Sequence, residues 1–147
     1  MNFADRVIKL NDYLLEQAAS SLSDGGCRKS DGKHQTSYIK HPTSRVPVYL
    51  KSVAVLANQL LRSGTSIGAN NTEAISAISK ADFKSKSYIA LKEARESLYW
   101  LDLLHRNKYL NDVEFQSLYD DCEELVKVLT HRCKKLDEND DKNEKKK

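Results

Sequence analysis

A chain of 147 residues has room for one domain with tails, and its 5 glycines and 2 prolines are too few for the many turns of a β-sandwich or barrel. Hydrophobic residues at 39%, charged residues at 31% and a mean hydropathy of −0.64 place it among soluble globular proteins, and no apolar run approaches the roughly 18 residues a membrane span needs. A net charge of +3 permits a polyanionic partner without requiring one.

The first segment carries Phe3, Val7, Leu10 and Leu14 at spacings of four, three and four, which predicts a helix over about 3–19 with one apolar face. Its start lacks the apolar run of a signal peptide, so a cytoplasmic protein is expected. Residues 20–45 are rich in Ser, Gly and Asp and nearly free of apolar side chains, which predicts a flexible loop. Arg28, Lys29, Lys33, Lys40 and Arg45 against Asp24 and Asp31 make that loop basic.

Pro47 suits a first helical position. From Leu50 the series Val53, Ala57, Leu60, Gly64, Ile67, Asn71, Ala74 and Ile78 alternates spacings of three and four. It predicts one long helix over 47–77, because the register crosses Gly64 and Gly68 without a slip; a kink there is the alternative. Ser79 and Asp82 form a capping-box pattern opening a third helix over 80–105, with Phe83, Ala90, Ala94, Leu101 and Leu104 on its core side. Asn111 and Glu114 cap a fourth over 112–136, whose stripe is Leu118, Cys122, Leu125, Leu129, Cys133 and Leu136. The mixed-charge tail 137–147 reads as a solvated, disordered end. Short links between the last three helices make them antiparallel neighbours, so the fold class is an all-α, up-down four-helix bundle. Tyr88, Tyr99 and Trp100, with Phe115, Tyr119 and Val126, exceed what one core needs and suggest a surface for other subunits.

Gly64-Thr65-Ser66-Ile67-Gly68 spells the G-x-S-x-G nucleophile elbow, but an elbow needs a strand before the serine and both flanks here have helical period. Ser66 therefore reads as a small packing residue. His34, His41, His105 and His131 read as surface histidines with no metal-ligand spacing, and Cys122 and Cys133 read as buried free thiols. No catalytic residue, metal or cofactor is expected, and the chain is not read as an enzyme. Lys92 and Glu96 stand at i, i+4 and read as a surface ion pair, with Glu73 of the second helix a possible acceptor for the neighbouring cations.

Lys80, Lys84 and Lys86 gather at the start of the third helix, with Lys80, Lys84 and Tyr88 at intervals of four. A basic ridge beside an aromatic ring suits phosphate contact with base stacking.

The block Gln59 to Asn70, then Ser79-Lys80-Ala81-Asp82-Phe83, Ala90 to Ser97 and Tyr99-Trp100-Leu101, resembles the four-helix-bundle proteins encoded in intervening sequences of bacterial large-subunit ribosomal RNA genes. The resemblance spans roughly residues 46–135. That family is similar in fold to the accessory variability proteins of diversity-generating retroelements, barrel-like homopentamers that bind nucleic acid and a reverse transcriptase. The resemblance implies a ring-like homo-oligomer of five-fold order and a non-enzymatic role tied to RNA or DNA. Arg62, Lys80, Lys84, Lys86 and Arg95 are the expected nucleic-acid contacts, although Arg62 and Arg95 lie inside the family blocks and could instead hold helices together. The alternative role is a scaffold for a partner protein such as a polymerase.

Overall fold

The computed structural model describes residues 2–23 and 48–144, and its elements are α1 (Phe3–Ser23), α2 (Val48–Ile75), α3 (Lys80–Arg106) and α4 (Asp112–Glu144). Most of the predicted basic loop, Pro47 and the last three residues lie outside the described residues.

Each helix forms where its apolar period predicts. Phe3, Val7, Leu10 and Leu14 of α1 are all buried, as are Val53, Ala57, Leu60 and Ile67 of α2. They meet Ala90, Ala94, Leu101 and Leu104 of α3 and Leu118, Cys122, Leu129 and Cys133 of α4 in one core. A serine cap at α3 and a reciprocal capping box at α4 set the starts of these helices. Ser79 Oγ accepts from the Asp82 amide at 3.1 Å, and Asn111 and Glu114 bond reciprocally, at 2.9 and 3.1 Å.

Four side-chain meetings give the topology. Val7 meets Gly64, Ser63 meets Ser97, Glu73 meets Lys86, and Cys122 Sγ donates to the Ala94 carbonyl. With Phe3 beside Gly68 and Lys84 paired with Asp137, residue numbers rise on one partner as they fall on the other in every pair, so consecutive helices are antiparallel and the bundle runs up, down, up, down. α2 packs most extensively on α3, whereas α1 meets α4 over a small area, chiefly through Arg6, which bonds Ser117 and Asp121.

Small residues explain that asymmetry. Ser63, Ala74, Ser87, Ala90, Ala94 and Ser97 are buried along α2 and α3, which lets two backbones approach. Ser97 Oγ bonds the Glu93 carbonyl and Ser63 Oγ, so these two hydroxyls are satisfied in the interior. At Gly64 the approach of α1 is closer still. A Cβ there would stand 3.2 Å from both Val7 methyls, so an added side chain would crowd Val7.

α2 is one uninterrupted helix through Gly64 and Gly68, as the unbroken register predicts. Three boundaries differ from the sequence reading. α1 continues to Ser23, into the stretch read as loop. α2 ends at Ile75, so Ile78 falls in the turn and is 96% exposed instead of facing the core. α4 runs on to Glu144, and residues 137–144 are helical where a disordered tail was expected.

Candidate nucleic-acid interface

The extension of α4 has a physical cause on α3. Lys84 Nζ stands 2.9 Å from Asp137 and 2.5 Å from Asp140, one turn apart on α4, and Tyr88 donates its hydroxyl proton to Asp137 at 2.5 Å. These contacts tie charges that alone would favour solvent to the neighbouring helix. The hydrogen bond from Tyr88, then that from Lys84, hold the Asp137 carboxyl below its ordinary 3.8. Asp140, then Asp137, push Lys84 above its ordinary 10.5.

A depressed carboxylate stabilises the fold above its unfolded pKa and loses that contribution as pH falls. A raised lysine contributes below its unfolded pKa and loses it as pH rises through the folded value. The end of α4 is therefore expected to hold between about pH 4 and pH 10 and to fray outside that window. Amide exchange of residues 137–144 read along a pH series checks this. Fraying already at pH 6 would contradict the assignment.

The same geometry divides the predicted ridge. Lys84 turns to α4, while Lys86 turns the other way and pairs with Glu73 of α2. Glu73 is thus an acceptor across helices, for Lys86 and not for the later cluster. Lys84 and Tyr88 do share a side, as their spacing requires, through their joint hold on Asp137. Both lysines already carry carboxylates, and a phosphate would have to displace them.

Arg62 on α2 and Lys80 and Arg95 on α3 differ: each is exposed and has no hydrogen-bond or ion-pair partner among the described residues. Arg95 lies on the α4 side of α3, within electrostatic reach of Cys133, whose thiol is raised chiefly by burial and partly relieved by Arg132 and Arg95. Lys80 stands at the α2–α3 turn, beside Ile75 and Phe83. Lys92 is likewise exposed and without a partner, and the expected pair with Glu96 is not formed; that carboxylate accepts from Trp100 Nε1 at 3.1 Å.

Part of the aromatic surplus is core cover. Trp100, Phe115 and Val126 pack against the core, and His105 is half-buried, stacked on Phe115 at 4.1 Å and bonded to Asp112 at 2.7 Å. His105 is therefore not the free surface histidine that spacing suggested, whereas His131 is exposed. Tyr99 stays 56% exposed, edge-on to Trp100. Among the described residues the most exposed large apolar side chains are Ile78 at 96%, Val113 at 80% and Ile75 at 76%, two of them at the α2–α3 turn.

Ser66 sits inside α2 with its carbonyl accepting from Asn70, so no strand-to-helix elbow presents it. Burial pushes the Cys122 thiol up to about 12, which keeps it protonated and unreactive at neutral pH. Among the described residues no three His, Cys, Asp or Glu side chains converge as metal ligands, and no helix is long and apolar enough to cross a membrane.

Comparison with known proteins agrees with this architecture. The family profile described as 23S rRNA-intervening sequence protein matches residues 43–131. A crystal structure of a protein of unknown function from the S23 ribosomal protein family of Bacteroides thetaiotaomicron is 31% identical, with a TM-score of 0.54, and the match covers 90% of this chain and 98% of that one. No curated protein matches the chain.

Proposed function

The chain belongs to the 23S rRNA-intervening sequence protein family, and from that premise we propose that it is a non-enzymatic helical-bundle protein that binds RNA or DNA through its unpaired surface cations. Arg62, Lys80 and Arg95 carry the reading, because each holds a full charge at the surface with no carboxylate partner among the described residues. Such cations gain from replacing the counterions around a phosphate backbone, whereas Lys84 and Lys86 must first give up existing pairs. The protein works as a homo-oligomer in this account, a pentameric ring that repeats the three cations around its circumference. Repetition of weak sites raises avidity when the geometry lets them engage together.

The test is a titration of nuclease-treated protein against labelled structured RNA and duplex DNA across a salt series. Three phosphate contacts per binding unit give a logarithmic slope of about −2.7 on duplex DNA, or a roughly 40-fold loss of affinity from 50 to 200 mM salt. No binding of either polymer at low salt would contradict the proposal. It would favour the scaffold reading, whose support is the exposed apolar Ile75, Ile78 and Tyr99.

A further inference from the structure

α1 begins at Phe3, level with Gly68 of α2 and Leu129 of α4, and its tie to α4 lies further along, at Arg6 with Ser117 and Asp121. A groove of about 260 Å³ opens where these three helices diverge. Phe3, Ile67, Leu125, Val128 and Leu129 give it apolar walls, and Gly64 and Gly68 leave its α2 side without side chains. Val128 is 52% exposed there, an apolar surface with no cover among the described residues.

One end of the groove is polar, and every group there favours a negative charge. Arg132 is half-buried, and its one partner among the described residues is neutral: its guanidinium donates to Asn71 Oδ1 at 2.6 Å. Donor matching then points the Asn71 amide N–H groups away from the arginine. Asn2 uses its Oδ1 to cap the Asp5 amide at 2.9 Å, which leaves its N–H groups free as well. The first turn of α1 adds its positive dipole end. Among the described residues no acidic side chain lines the groove. The arginine differs in this from Arg6, Lys84, Lys86, Arg106 and Lys127, each of which is paired with a carboxylate.

We propose that this groove is a binding site for a small amphipathic carboxylate, a medium-chain fatty acid or its like. The carboxylate meets Arg132 with the Asn71 and Asn2 amides, and the hydrocarbon lies along Ile67, Leu125 and Leu129. The volume suits a ligand of that class, since an apolar cavity of about 150 Å³ already holds benzene. The site is independent of the cations assigned to nucleic acid, so either reading can fail alone.

The probes are decanoate and its uncharged counterpart decanol, measured by calorimetry and by chemical shifts of residues along the groove. Decanoate is expected to bind saturably, one per chain, and tighter than decanol. Arg132→Met keeps an apolar stem but removes the charge, so decanoate should weaken at least 10-fold while decanol is unchanged. Gly68→Leu plugs the groove and should abolish both; a Cβ at Gly68 meets nothing within 4 Å, so the helix tolerates it. The proposal is overturned if native protein fails to bind decanoate, if decanol binds as tightly, or if Arg132→Met leaves decanoate affinity intact. Retained binding in a folded Gly68→Leu variant would equally overturn the location.

Discussion

Gly64→Val is expected to release α1 from the bundle while α2, α3 and α4 stay folded. The Cβ alone would stand 3.2 Å from both Val7 methyls, so the larger side chain crowds Val7. Val7 cannot yield by rotation, because a β-branched residue in a helix has essentially one rotamer and this one is 1% exposed. The whole of α1 must move outward, at a cost of about 3 kcal/mol, the upper end for overpacking. α1 packs mainly on α2 and is tied to α4 through Arg6, which bonds Ser117 and Asp121, so it can leave as a unit once those bonds open. Amide exchange should lose protection over residues 3–20 and keep it over 80–106. Gly68→Val, the same substitution one turn along, enters open space and should leave α1 protected. Equal effects at the two glycines would refute the close approach.

Leu101→Ala acts on the other scale. Leu101 is fully buried on α3, the helix with extensive neighbours on two sides. Removing its isobutyl group leaves a cavity that rigid helices cannot close, costing about 3 kcal/mol. For a domain of this size that lowers Tm by about 10 °C in a single cooperative transition. Exchange protection should fall across α2, α3 and α4 together, unlike the local loss at Gly64. Val128→Ala, on a side chain already half in water, should shift Tm by less than about 2 °C. A Leu101→Ala protein as stable as the parent would mean that the core lies elsewhere.

The contrast between these two variants also shows what the sequence makes legible. Helix number, register and core face follow from spacings of three and four, because each buried stripe is a local pattern on one segment. Gly64 stood out for the same reason: it occupies a core position of an unbroken register. The end of α4 was not legible. Asp137 and Asp140 look like solvated tail charges until Lys84 and Tyr88, some fifty residues away, are placed beside them. Local composition cannot report a pairing made by the bundle itself. The basic ridge failed similarly. Three lysines within seven residues look like one patch, yet helical rotation sends Lys84 to α4 and Lys86 to α2. Ile78 was read one turn too far because the apolar period outlasts the helix, which ends before the Ser79 cap. The groove at Arg132 had no sequence signal, since it comes from the mismatch between where α1 starts and how far α2 and α4 extend.

The central claim is that free cations, and not paired ones, hold nucleic acid. It is tested most directly by comparing two folded variants for binding to structured RNA at low salt. Arg62→Glu, Lys80→Glu and Arg95→Glu combined should weaken binding by roughly 10- to 100-fold, while Lys84→Gln with Lys86→Gln should change it less than about 3-fold. Undiminished binding by the triple variant, or a larger loss from the paired lysines, would contradict the account.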